Sequence, residues 1–193
     1  MVCEYERYAE DIGRTIGFRR AGIDDLALVH RWMQEEHVHP FWNLNIPLDR
    51  FRTHYEKALA DSHQTLYIGT IDGEPVSYWE AYWVQGDVLE GSYPAAPFDQ
   101  GVHLLIGEKA YLGKGCALPF LREMVRFQFQ EPKTAKVAAE PDIRNEKMIH
   151  VFERCGFRRI KPIPLPDKQA QLMFCEREEF EKRWNDVYDT TCL

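Results

Sequence analysis

The run GVHLLIG (101–107), EKAYLGKGC (108–116) and the segment Ala117 to Phe129 decide the fold. The first piece is apolar almost throughout, as expected of a central strand covered on both faces. The last carries Leu118, Leu121, Met124, Val125 and Phe129 as a wide apolar stripe at helical spacing. Pro119 falls in its first turn, where a missing N–H does little harm. TAKVAAE (134–140) then reads as a second central strand. A strand, a helix and a strand in that order imply parallel pairing across a helical crossover.

Outward from this unit, TIGFRR (15–20) reads as a strand and Ala21-Gly22 as a turn. Residues 23–36 form a helix with Leu26, Val29 and Met33 on one face and Asp24 and Asp25 favouring its dipole. HVHPFWNLNIP (37–47) is expected to be an extended loop, because two prolines restrict their predecessors, and Pro47 introduces a helix over 48–60. Gln64 to Ile71 and Pro75 to Val84 make a hairpin around Asp72-Gly73, a pair that supplies the positive φ angles of a tight turn. After the loop 86–100 and the central unit, a helix over 145–155 is closed by Gly156 and followed by a strand over 157–163. Pro162, Pro164 and Pro166 are expected to stiffen a loop, 169–175 forms the last strand and 176–184 a short helix.

The expected class is α/β (α+β): a mixed, mostly antiparallel sheet of about seven strands, flanked by four or five helices and built around one parallel crossover. No repeat, low-complexity stretch or Gly/Ser-rich linker divides the chain. A single domain over 15–185 is expected, with a polar, frayed or surface-draped segment 1–14 before it and a tail 186–193 after it.

The 193 residues are 45% hydrophobic, 13% aromatic and 28% charged, which excludes wholesale disorder and fibrous repeats. Lys and Arg number 24 against 31 Asp and Glu, a formal charge of −7 whose field repels polyanions, so no nucleic-acid partner is expected. No apolar run nears the roughly 20 residues of a membrane span, and the charged start is unlike a signal peptide; a cytoplasmic protein without a membrane partner is expected, monomer or homodimer undecided. Cys3, Cys116, Cys155, Cys175 and Cys192 are odd in number, widely spread and never in a C-x-x-C pair, so reduced thiols are the default. His37 and His39 without further partners make a poor metal site, and no metal is expected.

In Gly113-Lys114-Gly115, between a strand and a helix, several backbone N–H groups can turn toward one anionic group with little side-chain obstruction. Such a loop also satisfies an ordinary turn. About thirty residues on comes the amphipathic helix NEKMIHVFERC, closed by Gly156 and followed by Phe157. The ordered pair, Y-L-G-K-G then N-x-x-M-I-x-x-F-E-x-x-G-F, resembles the acetyl-CoA-binding core of the GNAT N-acetyltransferases over about residues 100–160. That resemblance implies the GNAT fold and an acyl-CoA co-substrate, acetyl-CoA or another, whose diphosphate lies on Gly113, Lys114, Gly115 and Cys116. It further implies CoA contacts at Leu105, Ile106, Asn145 and Phe152. Ala110 stands where the family usually has Arg or Gln, leaving the diphosphate to loop amides and to Lys109 or Lys114. Phe152 stands where many members carry a tyrosine.

A narrower resemblance spans residues 38–160: His39-Pro-Phe-Trp42, Glu74-Pro-Val-Ser-Tyr-Trp-Glu80-Ala-Tyr82, Asp99-Gln-Gly-Val-His103-Leu-Leu-Ile-Gly107 and Glu140-Pro-Asp142-x-x-Asn145. These four blocks in order are similar to the siderophore-biosynthesis acyltransferases. That branch acylates N-hydroxylysine, N-hydroxyornithine or a hydroxylated diamine to a hydroxamate, by direct transfer in a ternary complex. It implies catalytic roles for His103 and Asp142, and an acceptor site involving His39, Trp42, Glu80 and Tyr82.

The chemistry fits those residue types. A hydroxylamine nitrogen is less basic than an alkylamine and is largely unprotonated near neutral pH, so it attacks a thioester once held in line with it. The enzyme must orient N–OH, accept a proton and stabilise an oxyanion with strand amides. By strand alternation His103 shares a face with Leu105 and Gly107. Asp142 either polarises His103 or binds the hydroxylamine directly, and both remain open at this stage. Glu80 and Tyr82 share a strand face suited to a cationic amine, although a solvated face explains them too. Cys116, inside the helix N-terminus, would gain a lowered thiol pKa, yet direct transfer needs no acyl-enzyme and packing explains it better. Two alternatives remain: acetylation of an ordinary amine such as an aminoglycoside or polyamine, and a CoA-binding regulatory module without turnover.

Overall fold

The structure is a computed structural model that describes residues 2–184. The described chain forms two compact units: residues up to Tyr82 together with His103–Glu123, and Trp83–Val102 together with the chain from Met124 onward.

In the first unit, strands β1 (Tyr5–Ala9), β2 (Arg14–Arg20), β3 (Gln64–Ile71) and β4 (Glu74–Trp83) form an antiparallel meander. The amides of Gly107 and Glu108 donate to the Val76 carbonyl at 2.8 and 3.1 Å, which fixes the end of β5 (Gln100–Ile106) beside β4. The Asp72-Gly73 turn has φ of +51° and +86°, as the hairpin reading requires. Two helices, α1 (Leu26–Met33) and α3 (Leu48–Ala60), cover one face of these strands. Their Val29, Trp32, Met33, Phe51 and Tyr55 pack with Ile68, Tyr78 and Leu105 in one core cluster. The opposite side chains, Phe18 and Trp79, pack on Phe120 of α4 (Ala117–Gln128), with ring centroids 5.4 to 6.0 Å apart.

In the second unit, β5 pairs in parallel with β6 (Lys136–Ala139), Gln100 opposite Val137 and Gly101 opposite Ala138. This is the crossover expected from the sequence, with α4 as its helix. β6 pairs antiparallel with β8 (Gln169–Glu176), and β8 with β7 (Arg158–Pro164). Helices α5 (Glu146–Cys155) and α6 (Arg177–Trp184) complete the unit. Arg177 donates to the carbonyls of Phe129, Glu131 and Thr134 at 2.6 to 2.9 Å, fastening the turn between α4 and β6.

The described residues thus hold eight strands in a mostly antiparallel arrangement, one parallel pair and six α-helices. Four details depart from the sequence reading. The segment expected to be frayed contains β1, because Tyr5 and Ala9 are buried and the Tyr5 hydroxyl donates to the buried Glu123. The helix expected over 23–36 opens as a 3-10 turn at Ile23–Asp25 and ends at Met33. The aromatic loop contains a one-turn helix, α2 (His39–Trp42), with Pro40 in its first turn, where proline suits a helix. Pro162 and Pro164 lie inside β7; among the described residues that strand pairs only with β8, and an edge tolerates a missing donor. Cys192 and the tail 186–193 fall outside the described residues.

Where β5 ends, a Cβ on Gly107 would lie 2.1 Å from Cδ2 of the fully buried Trp32. Glu108 then accepts from the Trp32 indole at 2.9 Å and from Arg31 at 2.6 Å, so the indole cannot step aside without losing a bond. Gly107→Ala is expected to lower unfolding free energy by about 1–3 kcal/mol, the usual cost of overpacking. Urea unfolding of both proteins measures it; an unchanged midpoint means Trp32 relaxes freely.

Candidate active site

His103 sits near the middle of β5 and Glu80 on β4, on the face that bears Tyr78 and Leu105. The His103 Nδ1 lies 2.9 Å from Glu80 Oε2, and the Tyr78 hydroxyl donates to Glu80 Oε1 at 2.9 Å. A carboxylate accepts only, so Nδ1 carries a proton, and when the ring is neutral Nε2 holds the lone pair. Burial opposes a charge on Glu80, but the His103 hydrogen bond and charge, with the Tyr78 hydroxyl, outweigh it and hold the carboxyl below its ordinary pKa. Burial, then the Glu80 charge, keeps Tyr78 protonated by raising its pKa well above the ordinary phenol value.

Aromatic rings enclose the pair. Tyr82 lies 4.9 Å from the His103 ring, Trp42 meets it edge-on at 6.3 Å, and Trp42 lies 5.7 Å from Tyr78. Tyr55 of α3 lies 6.4 Å from Tyr78. The one-turn helix α2 is what brings Trp42 here. His103 retains 30% side-chain exposure and Glu80 14%, so a small molecule reaches the imidazole more readily than the carboxylate. Of the four expected acceptor residues, Trp42, Glu80 and Tyr82 gather on His103. His39 opens α2, its N–H donating to the Glu35 carbonyl and its own carbonyl accepting from Asn43.

In the same unit, Gly113 and Gly115 have φ of +70° and +76°, and a Cβ on either would meet nothing within 4 Å. Backbone conformation, not crowding, therefore calls for glycine here, and the loop is exposed from Leu112 to Gly115. Lys109 is held by Glu35 at 2.6 Å, which raises its pKa. Of the two lysines named for a diphosphate, Lys109 is thus already paired with a carboxylate. Burial pushes the Cys116 thiol pKa up, against the lowering expected from the helix N-terminus, and the thiol donates to the Tyr111 carbonyl at 3.2 Å. Leu105 is buried, and the Ile106 carbonyl accepts from His37 Nε2 at 2.8 Å. Sequence reasoning gave His37 no part; its bond to a strand carbonyl left no spacing signal.

In the second unit, Asp142 is buried after β6 and bridges to Ala170. Arg144 grips its carboxylate with backbone N–H at 2.8 Å and guanidinium at 2.6 Å, which lowers its pKa despite burial. Asn145 caps α5, its side chain accepting from the Met148 amide at 3.2 Å. Phe152 is buried, edge-on to Phe157 at 4.9 Å. Among the described residues no group of three or more His, Cys, Asp or Glu is placed to hold a metal ion, and no helix is long and apolar enough to cross a membrane.

With this geometry the chain belongs to the acetyltransferase (GNAT) domain family, whose model matches residues 23–165. It is 32% identical over 178 residues to the N(6)-hydroxylysine O-acetyltransferase of Escherichia coli, covering 91% of this chain and 56% of that protein. It is 35% identical over 170 residues to the N-hydroxyputrescine acetyltransferase of Acinetobacter baumannii, covering 86% and 79%. The chain thus spans little more than half the length of the first of these relatives. The crystal structure of the aminoglycoside acetyltransferase AAC(6')-Ib in complex with coenzyme A superposes with a TM-score of 0.80 at 28% identity, covering 86% of this chain and 98% of that one.

Glu80 supplies a pH test. Its folded pKa lies below the unfolded value of about 4.3, so its stabilisation is complete above about pH 5 and is lost as pH falls through the folded pKa. Glu80→Gln is expected to lose about 1–3 kcal/mol at pH 7 in urea unfolding, the cost of a weakened buried hydrogen bond. The gap to the native chain narrows at pH 3; a gap independent of pH would mean that the carboxylate charge contributes nothing.

Proposed function

We propose that the protein is an acyl-CoA-dependent N-acyltransferase. The acyl group, acetyl in the simplest case, passes to the hydroxylamine nitrogen of N-hydroxylysine, N-hydroxyornithine or a hydroxylated diamine, giving a hydroxamate for siderophore-type iron acquisition in the cytoplasm. The observation that carries this reading is His103, partly exposed among aromatic rings, with Nδ1 committed to a buried carboxylate. The two relatives named for hydroxylated amines support the substrate class.

The diphosphate of the acyl-CoA rests on the amides of Gly113, Lys114, Gly115 and Cys116, where two positive φ angles turn the backbone. The apolar strand beyond, with Leu105 and Ile106, guides the thioester toward His103. The neutral hydroxylamine nitrogen attacks the thioester carbon, forming C–N while the carbonyl becomes an oxyanion met by strand amides. His103 Nε2 takes the proton from nitrogen, C–S breaks, and the departing thiolate recovers a proton through solvent. Thiolates leave readily, so the buried Phe152 in place of a tyrosine is no obstacle. Since Glu80 already occupies Nδ1, polarising His103 falls to Glu80, while the Asp142 carboxylate is kept ionised by Arg144.

Purified protein with acetyl-CoA and each hydroxylated amine is expected to release thiol and give a coloured ferric hydroxamate. Thiol release without colour would mean acylation on oxygen, and no turnover with any acyl-CoA would overturn the reading. His103→Ala is expected to lower kcat about 10²–10⁴-fold with little change in acyl-CoA affinity. The similarity to an aminoglycoside acetyltransferase favours ordinary amines as a second reading. Equal rates with plain and N-hydroxylated lysine would establish it, because a plain ammonium must first lose a proton.

The diphosphate site has its own test. Lys114→Ala is expected to raise KM for acetyl-CoA several-fold, while Lys109→Ala, which removes a charge already paired with Glu35, changes it less than twofold. Equal effects in steady-state kinetics would move the diphosphate toward Lys109.

A further inference from the structure

We propose that Glu80 is a positioning residue that sets the tautomer of His103, with Tyr78 steering the carboxylate, rather than a contact for the acceptor's cationic end. This rests on the reading of His103 as the proton acceptor. The geometry is a chain of three groups on neighbouring strands: Tyr78 hydroxyl to Glu80 Oε1, and Glu80 Oε2 to His103 Nδ1, each at 2.9 Å. Tyr78 is 2% exposed and Glu80 14%, so both carboxylate oxygens are engaged away from bulk water.

Two arrangements of a neutral imidazole are possible, and they differ for catalysis. With the proton on Nδ1, Nε2 is a base; with the proton on Nε2, that atom is only a donor and cannot take the hydroxylamine proton. A carboxylate fixed on Nδ1 selects the first. Tyr78 matters because a carboxylate without its second partner can rotate, and its alignment with Nδ1 then depends on His103 alone. The titratable groups facing Glu80 are Tyr78 on its own strand, His103 on β5, and Tyr55 and His54 on α3. Tyr55 keeps its proton because burial, then the Asp25 charge, raises its pKa. His103 and His54 are the groups whose charges lower the Glu80 pKa. A free carboxylate for an alkylammonium is thus not what Glu80 offers, and that favours an acceptor whose reacting nitrogen arrives neutral.

Nitrogen-15 NMR of histidine-labelled native protein, at a pH where the ring is neutral, reads the tautomer without any substrate. The expected spectrum for His103, assigned with His103→Ala, shows protonated Nδ1 and unprotonated Nε2. In Glu80→Gln, whose amide can donate as well as accept, the other tautomer gains population. Activity then separates the two levels of the reading. Glu80→Gln is expected to lower kcat about 10²–10⁴-fold with KM for acyl-CoA unchanged, the range set by losing a tautomer-fixing carboxylate. Tyr78→Phe is expected to lower kcat less, and to move the acidic limb of the kcat profile without removing it.

A native His103 protonated on Nε2 overturns the proposal whatever the kinetics. Correct tautomers in the native protein with no hydroxylamine turnover would instead sink the reading of function and leave the positioning role standing. A Glu80→Gln variant that keeps native kcat, or that loses only affinity for the acceptor, would return Glu80 to the role of substrate contact.

Discussion

One hydrogen bond between two neighbouring strands, from His103 to Glu80, sets the terms for the rest of the candidate site. It puts an ionised carboxylate where burial opposes charge, and the arrangement stands because His103 and Tyr78 both donate to it. The strand register follows the same demand. Tyr78, Glu80 and Tyr82 alternate onto one face of β4, and His103 with Leu105 onto the same face of β5. The helices α1 and α3 cover part of that face, and the short α2 delivers Trp42 to the part that stays reachable. An apolar enclosure strengthens each polar contact inside it, so the aromatic rings matter electrically as well as sterically.

The glycine loop obeys a different constraint. Nothing crowds Gly113 or Gly115, so their identity answers to backbone angle alone, whereas Gly107, a few residues earlier, answers to crowding by Trp32. The sequence shows the same letter in each case and does not say which reason applies. Between them lies Lys109, which looked as available as Lys114 until the structure paired it with Glu35.

Most regular elements were legible because their signals were local. The helix 48–60, the Asp-Gly hairpin and the crossover from β5 through α4 to β6 each combine periodicity with a stop or turn residue. What escaped depended on distant partners. β1 is polar in composition but is held by pairing with β2 and by Tyr5 reaching Glu123, 118 residues away. The prolines of β7 read as breakers because a sequence does not announce that a strand lies on an edge. In the candidate site, the sequence motifs point to His103, Glu80, Tyr82 and Trp42, His103 with a catalytic role and the other three as contacts for the acceptor. That Glu80 binds His103 rather than solvent required the register of β4 against β5, which no spacing within one strand conveys. Asn145 and Phe152 have sufficient structural explanations as a cap and a core residue, whatever else they touch.

The fit of Trp32 over Gly107 links two residues that lie far apart in the chain and share one volume. An indole fills the space that a methyl would need, so a larger residue at either place demands a smaller one at the other. The two positions are therefore sterically coupled: bulk added at residue 107 has room only if bulk is removed at residue 32.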